Sequence, residues 1–103
     1  MNVPELLNHI KESMKTLYGE RFHGLVLYGS EARGDARADS DIDLVCLLDG
    51  PVGSWEIPKI NQATYSLRLE TERQFHIMPA DIEDYHAAEY SFFREVRREG
   101  IAV

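Results

Sequence analysis

The sequence predicts a small α/β domain, a mixed β-sheet with helices packed on it. Three observations lead there. Apolar residues in the first eighteen positions recur at the three-to-four spacing of one helix face. Two short apolar runs, 25–28 and 44–48, are each bounded by turn residues, as buried strands are. And a chain of 103 residues, 44% hydrophobic, has the length and apolar content for one packed core.

The elements follow in order. A helix is expected from about Pro4 to Tyr18: Pro4 suits its first turn, Leu6, Leu7, Ile10, Met14 and Leu17 form its buried face, and Gly19 stops it. Phe22 to Tyr28 reads as a strand that halts at Gly29-Ser30. The polar stretch from Glu31 to Ala38 holds good helix formers and predicts a short helix or helical turn. Asp41 to Leu48 is the second strand, ended by the turn residues Asp49-Gly50-Pro51. The stretch from Pro58 to Thr71 carries both a helical face (Ile57, Ile60, Thr64, Leu67) and an alternating segment (64–69); helix is the preferred reading and a strand over the second half the alternative. Gln74 to Met78 is then the third strand, ended by Pro79. A helix from Ile82 to Arg98, broken near Tyr90-Ser91 and stopped at Gly100, completes a single domain spanning 1–103.

Composition narrows the function classes. Eighteen acidic against eleven basic residues give a net charge of −7, which argues against nonspecific binding to a nucleic-acid backbone. No apolar run approaches the roughly 20 residues of a membrane span, and the polar N-terminus does not read as a signal peptide, so a cytoplasmic location is expected. Cys46 is the only cysteine; it sits among apolar neighbours and reads as a small buried hydrophobe.

Two adjoining features carry chemistry. The first strand ends in Gly29-Ser30 and leads into a helical turn, where backbone N–H groups and the Ser30 hydroxyl are available to a phosphate and glycine permits close approach. Alone, such a Gly-Ser is usually a turn with a helix cap. The second feature is Ser40-Asp41-Ile42-Asp43-Leu44. Asp is disfavoured in strands, yet two stand here at i and i+2, on one face, with Ile42 and Leu44 pointing to the core. Like charges held this close call for a cation, and Mg²⁺ typically takes one or two carboxylates plus substrate phosphates. With a connection of about ten residues between them, neighbouring strands would bring the phosphate loop and the carboxylates to one end of the sheet. Metal-assisted nucleotidyl transfer requires that arrangement.

Gly29-Ser30-Glu31-Ala32-Arg33-Gly34 followed by Ser40-Asp41-Ile42-Asp43-Leu44 resembles the signature of the minimal nucleotidyltransferases, in the DNA polymerase β-like superfamily. Arg94 to Ile101 is more weakly similar to that family's closing helix and strand. The resemblance implies a nucleotidyltransferase fold, ATP as substrate and two Mg²⁺ ions. Gly29 and Ser30 would contact the β- and γ-phosphates, and Asp41 and Asp43 would hold the metals. The resemblance further implies a HEPN-domain partner: family members of this size are often antitoxins in such pairs, and some transfer AMP to a tyrosine of the toxin. Arg33 and Arg37, from their place on the polar turn, are candidates to reach a phosphate, although such arginines more often only cover a surface. A silent fold that neutralises its partner by binding alone is the alternative.

The family usually carries a third carboxylate on the third strand. Counting back from Pro79 places it at position 76, where this chain has His76. His76 is a candidate base, and an imidazole suits Mn²⁺ or Zn²⁺ better than Mg²⁺. Glu70 and Glu72 are the nearby substitutes, at the cost of a register shift. Arg37 reads as surface cover, and His9, His23 and His86 make no metal spacing. Tyr85, Tyr90, Phe92 and Phe93 are expected in the core rather than in an exposed patch. Trp55 is open between the two, and Arg94 to Glu99 is a solvated helix face.

Overall fold

The computed structural model describes residues 1–103. Helix α1 spans Val3–Tyr18, with the Asn2 side chain accepting from the Glu5 N–H and Gly19 closing it at φ +57°. Its buried face is Leu6, Ile10, Met14 and Tyr18; Leu7 and Leu17 pack at the margin. A 3₁₀ turn over Gly19–Arg21 leads to β1, Phe22–Tyr28. Helix α2 is a single turn, Ser30–Arg33, ended by Gly34 in the left-handed region. Strand β2 is Ile42–Leu48, so Asp41 immediately precedes the strand it was expected to open.

The stretch with two readings is helical throughout, as two helices: α3, Glu56–Ala63, and α4, Tyr65–Glu70. Thr64 divides them, buried, with its hydroxyl donating to the Ile60 carbonyl. Strand β3 runs Phe75–Asp81, through Pro79 rather than stopping at it. The sheet order β3-β2-β1-β4 explains this. β3 is an edge strand, and an edge tolerates a residue with no N–H to donate. Helices α5, Ile82–Ala87, and α6, Ser91–Glu99, are broken at 88–90 as expected, with Ala88 left-handed, and Gly100 leads into β4, Ile101–Ala102. The sheet is mixed: β1 pairs antiparallel with β2 and β4, and β2 pairs parallel with β3.

Strand alternation divides the core between the two faces. One face, from Leu25, Leu27, Ile42, Leu44, Cys46, Leu48, Phe75 and Ile77, is covered by α1, α3 and α4. On the other, Val26, Val45, Leu47 and Ala80 pack against Tyr85 of α5 and Val96 of α6. β2 is covered on both, which accounts for its unbroken apolar run. The second face is covered only in part, and its open end holds the candidate site.

Glu56, at the start of α3, is fully buried. It accepts from the Tyr18 hydroxyl at 3.1 Å and from the Arg21 guanidinium at 3.0 Å, and Arg21 also donates to the carbonyls of Asp49 and Pro51. A buried carboxylate persists only when paired and hydrogen-bonded. This network fixes the connection between β2 and α3.

Candidate active site

Strand register assembles the site. Tyr28, last in β1, pairs with Asp43 of β2, and Asp43 pairs with His76 of β3. All three side chains lie on the partly covered face, in one row across three strands. Asp41 stands one step outside the row, its carboxylate 3.1 Å from His76 Nε2. The two strands that carry Gly29-Ser30 and Asp41-Asp43 are neighbours, as the motif requires. His76, at the position where a third carboxylate was expected, is the strand partner of Asp43.

Gly29 makes the turn from strand to helix at φ +76°, ψ −154°, a conformation that is essentially glycine's alone. A Cβ built there would stand 2.7 Å from Asp43 Oδ2. The glycine therefore brings the start of the loop against the carboxylate itself. The α2 turn then folds back: Gly34 and Asp35 both donate to the Ser30 carbonyl. The first N–H groups of such a turn have no partner within it and are available to an anion.

Asp43 is half-buried, and burial raises its carboxyl above the usual range; His76 and Arg33 lower it and the Asp41 charge raises it, and the net shift is upward. The Tyr28 hydroxyl is also raised, by burial first and by Asp43 second. A cation between Asp41 and Asp43 would relieve both the burial of charge and the repulsion, and two carboxylates with substrate phosphates suit Mg²⁺. The donor set thus fits a metal bound together with a triphosphate. It does not form a closed protein cage: no three His, Cys, Asp or Glu side chains are so arranged that they would hold a metal ion by themselves. Glu70 closes α4 and Glu72 lies in the loop beyond; both are exposed, and neither joins the pair.

Arg33, a candidate to reach a phosphate, is engaged with Glu99 of α6 at 3.2 Å and with Asp35 at 3.3 Å. It would have to leave these exposed pairs to reach a ligand, and such pairs are weak. Arg37 is exposed and His23 pairs with Asp49 Oδ1 at 2.6 Å, both outside the site. Cys46 is fully buried, with its thiol pushed up to about 12 chiefly by burial, and takes no part. The aromatic cluster divides: Tyr85 is core, whereas Tyr90 and Phe92 are exposed. They line a cleft of about 540 Å³ with Met78, Phe93, Ile57 and Asp84. Met78 follows His76 by two residues on the same strand face, and the Phe92 ring meets Tyr28 edge-on at 5.4 Å. The cleft therefore opens beside the row.

Sequence reasoning missed two residues. Tyr28 read as the end of an apolar strand, although its place directly before Gly29 puts it beside the loop. Arg73 carried no local signal. It donates from Nε to the Ser40 carbonyl at 2.8 Å and from its terminal nitrogen to Glu31 at 2.6 Å.

Comparison with known proteins gives the family and the fold. The profile of the nucleotidyltransferase domain matches residues 7–98. A Methanocaldococcus jannaschii protein whose name assigns it, provisionally, to the protein adenylyltransferases is 24% identical over 105 residues, covering all of both chains. Among solved structures, a toxin–antitoxin complex with AMP-PNP matches with a TM-score of 0.65 at 17% identity, over 93% of this chain and 70% of that one. A nucleotidyltransferase-type protein from Sulfolobus solfataricus matches with a TM-score of 0.56 at 16% identity, over 96% and 79%. Both share the fold. The family match spans most of the chain, and with it the Gly29-Ser30 turn and the Asp41/Asp43 pair: this protein belongs to the nucleotidyltransferase domain family.

Proposed function

We propose that this nucleotidyltransferase binds ATP with Mg²⁺ at the corner of Gly29, Ser30, Asp41 and Asp43 and transfers AMP to a hydroxyl of a protein partner, a HEPN-type toxin that it thereby neutralises. The observation that carries the reading is the row Tyr28–Asp43–His76, with Asp41 and the Gly29 turn packed against it. The protein-adenylyltransferase name of the archaeal relative and the toxin–antitoxin neighbour bound to AMP-PNP support the choice of AMP and of a protein acceptor.

In this reading Asp41 and Asp43 would hold the metal, which when bound would supply neutralisation of the phosphate charge. The backbone of Gly29–Glu31 and the Ser30 hydroxyl orient the triphosphate. The acceptor oxygen attacks the α-phosphorus and forms the new P–O bond. The bond to the oxygen bridging the α- and β-phosphorus breaks, and pyrophosphate leaves with that electron pair. The acceptor's proton passes to a base. His76 supplies a basic nitrogen at the edge of the row, oriented by its contact with Asp41. The cleft beside Met78 and Phe92 gives an acceptor segment a place to lie.

The test is AMP transfer from α-labelled ATP to a purified HEPN-domain protein. Wild-type protein labels the acceptor, and Asp41→Asn with Asp43→Asn abolishes the label while the fold stays intact; label retained in the double variant would overturn the assignment.

One observation favours a second reading. The position opposite Asp43 holds an imidazole where the family usually has a carboxylate, and no third ligand completes the metal site. In that case the domain binds its partner without turnover.

A further inference from the structure

The three segments that make up the site come from distant parts of the chain, and one side chain touches two of them from the third. Arg73 sits in the loop between α4 and β3, three residues before His76, and is largely buried. Its Nε donates 2.8 Å to the carbonyl of Ser40, the residue immediately before Asp41. Its terminal nitrogen donates 2.6 Å to Glu31, the residue immediately after Ser30, and both partners in this ion pair are 18% exposed. The loop is pinned in turn: the Arg73 N–H donates to the Thr71 hydroxyl, and the Ile42 N–H donates to the Gln74 carbonyl.

We propose that Arg73 is a positioning residue for nucleotide binding, a clamp that holds the phosphate turn and the metal carboxylates in one register. The inference rests on the proposed reading of the site as a nucleotide–metal corner. Its physical basis is the geometry of guanidinium. Arginine presents donors in a rigid planar fork, so fixing one edge on Ser40 fixes where Glu31 is held. Lysine cannot hold both partners in that geometry. The need for a clamp follows from α2 itself. The turn is four residues long; apart from Arg73 it is held by Ala32 against the core and by the exposed pair of Arg33 with Glu99. Arg73 touches neither phosphate nor metal in this scheme; it acts through Glu31 and Ser40.

The test uses Arg73→Met, Arg73→Lys and Glu31→Gln, with two readouts. Amide hydrogen exchange of the nucleotide-free protein reports the clamp directly. In Arg73→Met, the amides of Arg33, Gly34 and Asp35 and those of Ile42 and Asp43 exchange at least tenfold faster, while those of Leu25–Leu27 and Val45–Leu47 are unchanged. Arg73→Lys loosens the Ser40–Asp43 side more than α2, and Glu31→Gln loosens α2 alone. Unchanged exchange in Arg73→Met, or a rise spread evenly over the whole sheet, overturns the proposal. Calorimetric titration with MgATP then reads the consequence: about tenfold weaker binding in Arg73→Met, with Arg73→Lys intermediate. Wild-type affinity in a folded Arg73→Met also overturns it. If the wild-type protein itself binds no MgATP, the reading of the site fails, while hydrogen exchange still decides whether the clamp exists.

Discussion

Gly29 and Asp43 approach so closely that a single methyl group on the first would stand 2.7 Å from the carboxylate of the second. Each is in place because the other is small or flat. The turn cannot lift away without opening the strand pairing that ends at Tyr28 and Asp43. The carboxylate cannot swing toward the turn.

Gly29→Ala therefore acts twice. The backbone conformation costs a non-glycine residue about 1–3 kcal/mol. The new methyl also displaces Asp43. Melting should fall by several degrees, and MgATP affinity by more than the fold's loss explains, since the carboxylate leaves its place even in molecules that remain folded. Thermal denaturation with and without MgATP separates the two effects. Wild-type affinity in the variant would show that the contact is incidental.

His76→Asp decides between the active and the silent reading. Carboxylate at this position completes the usual set, so a silent domain should gain transfer activity and bind Mg²⁺ more tightly. In an active enzyme that already uses the imidazole, the same change should lower transfer at neutral pH. Label transfer and direct Mn²⁺ binding, read together in both proteins, distinguish the outcomes.

Acid stability rests partly on Glu56. Burial pushes its carboxyl up, but the bonds from Arg21 and Tyr18 and the charges of Arg21 and Lys59 outweigh it, and the net shift is downward. A carboxyl with a lowered folded pKa stabilises the protein above its unfolded value of 4.5 and loses that contribution as pH falls through the folded value. Glu56→Ala should cost about 2 kcal/mol at neutral pH, the usual penalty for a broken buried pair being reduced because Arg21 is more than a third exposed. It should also flatten the acid limb of a stability–pH profile below 4.5. A parallel downward shift, with the acid limb unchanged, would contradict the network's role.

Alkaline behaviour has the opposite sign. The Cys46 thiol is pushed up to about 12 from 9.0, so the folded protein keeps it neutral where the unfolded chain ionises it. Stability present below pH 9 should be lost progressively as pH rises toward 12, with the raised Tyr28 and Tyr85 hydroxyls acting in the same direction. Cys46 should be inert to a thiol reagent at pH 8 and react on unfolding. Fast labelling of the native protein would show that the strand opens locally.

What could be read from the sequence was local. The α1 face, the two central strands, Gly19 and the Asp-x-Asp pair each announce themselves through spacing or residue type within a few positions. What could not be read depended on neighbours far along the chain. Pro79 stops a strand only if that strand needs its N–H, and the edge position of β3 removes the need. Tyr28 looks like any apolar strand end until the register sets it against Asp43. Arg73 and Glu31 are 42 residues apart, and Tyr18 and Glu56 are 38 apart. Polar pairs of that separation leave no periodic trace. Of the aromatic residues near the C-terminus, Tyr85 is in the core as expected, whereas Tyr90 and Phe92 are exposed, because whether they are covered is a property of the fold and not of the run.

A nucleotide–metal site at one corner of the sheet can be mapped by NMR titration of the isolated protein with ATP, with and without Mg²⁺. Amide shifts centred on Gly29, Ser30, Asp41 and Asp43, spreading to Tyr28 and His76, should appear only when metal is present. Shifts that are independent of metal, that centre elsewhere, or that never appear would contradict that site.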